Sequence, residues 1–213
     1  MSSKKNVLAV SAHFDDAELG CGGTLARHAR AGDKVTLFVA TRSEYADMDK
    51  KVVRSADKAR REGLAAARIL GADLMVAGYE TFHLTYDDDL IATVRRLVER
   101  RRIDTVYLPF TGDAHQDHRA IARAALTAGR HCPRLLMYRI NYYDTDEQFR
   151  PRHYVDISKT MPLKLRAIRA HASELARTKG RWVEYITQDD RNTGIKLGVR
   201  YAEAFEAVRY LEP

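Results

Sequence analysis

Short apolar runs alternate along the chain with longer segments in which apolar residues recur every three or four positions, the pattern of buried strands alternating with amphipathic helices. Strands are predicted over residues 6–12, 34–41, 73–78, 105–110 and 134–140, and helices over 18–31, 51–70, 88–101 and 118–128. Gly32 and Gly71 fall where a helix end wants a residue tolerant of positive φ. Residues 42–54, charged and without period, read as a loop after the second strand. Beyond Ile140 the pattern loosens into a polar, aromatic stretch, then a short strand-like 153–157 and a helix over 159–171; residues 202–211 fit a strand or a helix equally. No repeat, low-complexity tract or linker divides the chain, so residues 1–213 are read as one domain. This alternation packs as an α/β domain, a mostly parallel sheet flanked by helices.

Composition narrows the class. With 213 residues, 45% hydrophobic and 31% charged, the chain is long enough for one core and excludes disorder and fibrous repeats. No apolar run approaches the roughly 18 to 20 residues that span a bilayer. Between Met1 and Lys5 two lysines precede a short apolar stretch, but it ends in His13, Asp15 and Asp16 rather than a small-residue cleavage site. No signal peptide is read, and a cytoplasmic protein is expected. Cys21 and Cys132 form no CxxC pair and read as reduced, partly buried thiols. The net charge of +7 is spread in pairs such as Arg60-Arg61 and Arg95-Arg96, and Arg100-Arg101-Arg102 closes a predicted helix, where cations suit the dipole. With no basic stripe interleaved with aromatics, neither nucleic acid nor a membrane is expected as a partner, whereas weak attraction to anionic substrates and a homo-oligomer stay open.

Two constellations carry chemistry. His13, Asp15, Asp16 and Glu18 sit where the first strand gives way to the Gly-rich Gly20-Cys21-Gly22-Gly23-Thr24, and His115-Gln116-Asp117-His118 follows the fourth strand. Ligands bind beyond the carboxyl ends of strands in open parallel sheets, and the two motifs meet if strands one and four are neighbours, as in the doubly wound order 3-2-1-4-5. Imidazole and carboxylate together suit a divalent metal, with a spare carboxylate to act as base; the plainer alternative is that Asp15 or Asp16 only caps the following helix. A dinucleotide fingerprint fails, because Leu25 stands where a third glycine is required and Arg42 where an acid would hold the ribose. The glycines are better read as allowing close approach of helix to strand. His28, His83, His131 and His153 read as packed or solvated side chains. Trp182 and the eleven tyrosines could stack on a sugar ring.

The first motif resembles the A-H-P-D-D-x-E and glycine cluster of the metal-dependent N-acetylglucosaminyl de-N-acetylases, the LmbE-like or PIG-L deacetylases, and the second resembles their H-x-D-H. The likeness extends to Glu62–Gly71 (E-x-x-x-A-A-x-x-L-G), His171-Ala172-Ser173-Glu174 (H-x-S-[QE]) and Gly198–Phe205 (G-x-x-Y-A-E-x-F). It implies a Rossmann-like fold and a hydrolase that removes an acetyl group from a small-molecule N-acetylated sugar of the glucosamine type. Other N-acyl substrates (a sugar nucleotide, an aminoglycoside precursor, a thiol conjugate) stay open, with a nucleotide-binding module as the contrasting class. The resemblance further implies that His13, Asp16 and His118 hold Zn2+ or another divalent metal and that Asp15 is the general base. His115 would stabilise the oxyanion and manage protons as an imidazolium oriented by Asp117. Two positions depart from the pattern: Phe14 replaces proline, and Ala59 stands where a substrate-binding arginine is expected. Arg54, Arg60 and Arg61 are within reach of that role, with Arg54 and Arg60 taken as candidates.

Overall fold

A computed structural model describes residues 4–140 and 143–212, so that Met1–Ser3 of the N-terminal segment considered above lie outside the described residues. The strands are Asn6–Ser11 (β1), Lys34–Thr41 (β2), Tyr45–Ala46 (β3), Val52–Arg54 (β4), Asp73–Tyr79 (β5), Thr105–Pro109 (β6), Arg134–Tyr138 (β7), His153–Asp156 (β8) and Ala202–Tyr210 (β9). The helices are Asp16–Arg30 (α1), Ala56–Leu70 (α2), Asp88–Arg100 (α3), Gln116–Ala128 (α4), Met161–Ala170 (α5), Ala172–Thr178 (α6) and Arg181–Lys196 (α7).

The main sheet runs β5-β2-β1-β6-β7-β9-β8. Its five parallel strands stand in the 3-2-1-4-5 order expected, and antiparallel β9 and β8 extend it beyond β7. β1 therefore lies between β2 and β6, and the carboxyl ends of β1 and β6 share one crevice. Period two divides β1 between the two faces: Leu8 and Val10 pack with Leu90 and Val94 of α3 and Ile121 of α4, whereas Val7 and Ala9 pack with Leu25 of α1, Leu70 of α2 and Ile168 of α5. Burial on both faces explains why β1, β6 and β7 are near-continuous apolar runs, as parallel strands covered by helices must be.

Several boundaries differ from expectation. The helix predicted from residue 51 begins at Ala56, because the Ser55 hydroxyl accepts the Lys58 N–H at 3.3 Å and caps it there. The residues before it pair as the β3–β4 hairpin, so the predicted loop 42–54 holds secondary structure. Residues 202–211 resolve into strand β9. Helices α6 and α7 go beyond the predicted elements; Gly180 at φ 76° separates them, and α7 buries only Ile186, Asp190 and Gly194, too few for a clear apolar period. Gly71 takes φ 73° at the end of α2, as expected.

The glycine cluster lies within α1 rather than in a turn, and it does allow close approach: a Cβ on Gly20 would meet the Tyr138 ring at 2.1 Å and one on Gly23 would meet Ile157 at 2.8 Å. The carboxylate of Glu203 reaches the same stretch, accepting the Gly23 and Thr24 N–H groups at 2.9 and 2.7 Å. Lys164 stands beside it, 2.7 Å from Glu203 and 2.7 Å from Asp190, with all three side chains buried. Phe14 is buried against Val39 and Ala59, and its ring occupies the space a Cβ on Gly63 would need, at 2.1 Å. Packing thus fixes the turn that proline would otherwise fix by its ring. Gly63→Ala should lower stability by about 1–3 kcal/mol, the usual cost of overpacking, read as a lower midpoint in chemical denaturation with unchanged slope.

Candidate active site

Both motifs reach the crevice from strand ends: His13, Asp15 and Asp16 follow β1, and His115, Asp117 and His118 follow β6 across the start of α4. His13 Nδ1 and His118 Nε2 face each other at 3.2 Å. Asp16 Oδ1 is 3.2 Å from the same His118 nitrogen, while Asp16 Oδ2 is held by the backbone N–H groups of Ala12 and His13 at 2.9 and 2.8 Å. Each imidazole has a carboxylate on its far nitrogen: His13 Nε2 lies 2.9 Å from Asp117 Oδ2, and His118 Nδ1 lies 3.0 Å from Asp113 Oδ1.

That pattern tests whether the residues fit a cation. A ring that donates from its far nitrogen presents a lone pair on its near one, and two lone pairs facing a carboxylate oxygen repel unless a proton or a metal ion lies among them. Burial alone would push both rings toward the neutral form. Asp117 and Asp16 nevertheless lift the His13 pKa to about 9, and Asp16 with Asp113 lifts that of His118 to about 10. Burial would likewise raise Asp16, but the two histidines hold it well below the usual carboxylate range. The donor set fits a divalent metal. His13, His115 and His118 bring one ligand atom each within 4.8 Å of one another, so all three imidazoles are within reach of one ion.

His115 differs from the other two. Its Nδ1 caps α4 by accepting the Asp117 backbone N–H at 3.1 Å, which assigns the proton of the neutral ring to Nε2. Burial, together with the neighbouring His118 and His13, pushes its pKa down to about 4. Asp117, expected to orient the His115 ring, instead sets its carboxylate 2.9 Å from His13 Nε2, and the lowered pKa favours the neutral form of His115. That carboxylate is fixed in turn by the N–H groups of Phe82 at 2.8 Å and Leu84 at 3.2 Å.

Asp15 occupies the N-cap position of α1 but makes no capping hydrogen bond, and its φ of 115° is one that a side-chain-bearing residue adopts only under constraint. Its carboxyl is 3.6 Å from Arg54 Nη1. Burial raises the Asp15 pKa to about 7 against the opposing pull of Arg54. Arg54 is itself buried, with Nη1 donating to the Phe14 carbonyl and Nη2 to Glu62, and with His171 Nδ1 at 3.2 Å. Glu62 also accepts the N–H and hydroxyl of Ser173, and His171 lies 3.3 Å from Glu18, so the remote segments noted in the sequence converge around this guanidinium. Arg60 projects from the exposed face of α2 and is not among the residues lining the site.

The centre opens into a cavity of about 370 Å³ whose wall includes Asp15, Asp16, Arg54, Tyr45, Phe82 and Trp182. Sequence reasoning did not single out Asp113, Phe82, Tyr45 or Arg177. Arg177 lies over the Trp182 and Tyr45 rings, 5.3 and 6.0 Å from their centroids, and pairs with Glu174 at 2.7 Å.

Residues 8–129, more than half the chain, match the family model described as PIG-L: GlcNAc-PI de-N-acetylase. The chain belongs to the PIG-L family. YaiS of Escherichia coli, described as an uncharacterized deacetylase, is 30% identical over 186 residues, which span 81% of this chain and 93% of that protein. The diacetylchitobiose deacetylase of Thermococcus kodakarensis is 27% identical, over 96% of this chain and 83% of its own. Among solved structures, the conserved protein TT1542 from Thermus thermophilus superposes with a TM-score of 0.82 at 28% identity, over 98% of this chain and 97% of that one. Both sequence motifs fall inside the matched PIG-L span.

Asp117→Asn should weaken metal affinity by roughly 10- to 100-fold by releasing the His13 ring, a loss measurable by competition with a chromogenic chelator. In the unsubstituted chain the carboxylates that raise both histidine pKa values make protons compete with a metal for the facing nitrogens, so its apparent affinity should fall as pH drops through the neutral range. A metal affinity unchanged between pH 6 and 9 would contradict the protonation assigned to these rings.

Proposed function

We propose that this protein is a zinc-dependent amidohydrolase that removes the N-acetyl group from a glucosamine-type sugar. The observation that carries the proposal is the pair of carboxylate-backed imidazoles facing Asp16 at the floor of an open cavity, with a second buried carboxyl, Asp15, beside it. The names of its relatives as deacetylases support the reaction class. His13, Asp16 and His118 would hold a divalent metal, which would supply Lewis-acid activation at this site. His115 is left out of that ligand set because its Nε2 carries the proton.

The chain's own groups then divide the proton work. Asp15, poised near pH 7 by burial, accepts a proton from the attacking water at its carboxylate and passes it to the departing amine. His115, neutral and protonated on Nε2, donates a hydrogen bond to the developing oxyanion without carrying charge itself. Arg54 steadies the Asp15 carboxyl and serves the substrate through it, while Arg177, 43% exposed at the cavity wall, is the cation that meets the sugar's polar groups. Cys21 and Cys132 are both buried and unpaired, as suits a protein working in the reducing cytoplasm.

Release of acetate from a panel of N-acetylated sugars by the zinc-loaded protein tests the function directly. A cleaved sugar with near-stoichiometric zinc is the expected result; a protein that binds no divalent metal, or cleaves none of the panel, contradicts it. Asp15→Asn should retain zinc and lose about 10²- to 10⁴-fold in turnover. Undiminished turnover in the zinc-loaded variant would remove Asp15 from the base role.

A further inference from the structure

Phe82 is a large apolar residue placed where burial cannot explain it. Its side chain is 44% exposed, yet it lies beside the most polar part of the molecule and lines the active-site cavity. Its backbone adopts φ 67°, a left-handed conformation unfavourable for a bulky residue and most readily taken by glycine and asparagine. Two contacts hold it there: the Phe82 N–H donates to Asp117, and its carbonyl accepts from the Gln116 side chain. The ring is consequently stacked on His115, with centroids 5.6 Å apart and planes 28° apart, and meets Tyr45 edge-on at 6.3 Å.

Tyr45 is fixed by a 2.6 Å hydrogen bond to Glu174, the same carboxylate that holds Arg177 between the Tyr45 and Trp182 rings. Phe82, Tyr45 and Trp182 thus form a braced aromatic arc around the mouth, of which Phe82 is the member touching His115. One face of the Phe82 ring is stacked on His115, and the residue, 44% exposed, lines the same cavity, so its other face is open to the ring of a sugar whose acetamido group reaches His115 Nε2. Strained backbone retained at an exposed aromatic, directly beside a reacting group, is the signature of a selected contact.

We infer that Phe82 is a specificity-determining residue, an apolar platform on which the pyranose ring of the substrate stacks and which favours cyclic over acyclic N-acetyl compounds. The inference rests on the deacetylase reading above. Because the same backbone N–H holds Asp117, the platform and the His13 ring are positioned by one loop.

Phe82→Gly removes the ring while suiting the positive φ and keeping both backbone contacts, so the zinc content should remain that of the unsubstituted protein. With the sugar identified by the acetate-release panel, Phe82→Gly should raise KM roughly tenfold with much less change in kcat, and the inhibition constant of the free amino-sugar product should rise in parallel. Inhibition by acetate, which has no ring to stack, should be unchanged, and Phe82→Tyr should restore binding of the sugar. An unaltered KM and product inhibition, or equal weakening of sugar and acetate binding, overturns the platform while leaving the deacetylase reading intact. Failure of the unsubstituted protein to cleave any sugar on the panel removes that reading, and the platform with it.

Discussion

Four carboxyl groups, those of Asp15, Asp16, Asp113 and Asp117, are buried together at one end of the sheet, and offsetting their repulsion is the constraint that organises the molecule. Two unit charges about 4 Å apart still repel by about 4 kcal/mol at an effective dielectric of 20. Each carboxyl therefore has its own compensation. Arg54 faces Asp15, the backbone amides of Ala12 and His13 and the ring of His118 face Asp16, the His115 amide and the His118 ring face Asp113, and the Phe82 and Leu84 amides with the His13 ring face Asp117. Strand ends and the loop after β5 are arranged around this demand for positive charge. A bound divalent cation is its natural completion.

What the sequence made legible was whatever is local. His13 to Asp16 and His115 to His118 are short motifs, and the alternation of strands and helices places both at carboxyl ends that the sheet order brings side by side. The second carboxylate–imidazole pair was not legible, because nothing in a loop marks Asp113 as the partner of a histidine five residues later. The direction of Asp117 is hidden from the sequence for a related reason. His115 sits at the N-cap of α4, where its ring is drawn to a backbone amide, and the helix turns the adjacent carboxylate toward β1 instead. The cavity wall drawn from Tyr45, Phe82, Glu174, Arg177 and Trp182 comes from elements far apart in the chain. Helices α6 and α7, which contribute three of these, have too thin an apolar face to announce themselves.

The two departures from the family pattern are coupled through packing. Phe14 fills the space above Gly63 and against Ala59, so the position where the pattern suggests an arginine is occupied by a small residue under an aromatic ring. A guanidinium arrives instead from the β3–β4 hairpin, five residues earlier, and is met there by Glu62, His171 and the Phe14 carbonyl. Changing Phe14, Ala59 or Arg54 alone would leave a void, a clash or an unpaired buried carboxylate. The three positions form one solution to holding Asp15 in a strained backbone.

Glu203 connects β9 with the helix that carries Asp16. It satisfies amide groups in the middle of α1 from 180 residues away, and it shares Lys164 with Asp190 of α7. During synthesis α1 emerges well before Glu203, the acceptor for its Gly23 and Thr24 amides and a counter-charge for Lys164. Domains fold as units once their contacts are available, and a buried ammonium stripped of a partner is strongly unfavourable. The crevice that gathers His13, Asp16 and His118 is therefore completed only once β9 is available, although all three residues precede β9 in the chain, and a nascent chain arrested before β9 carries both motifs without a finished helix to hold them.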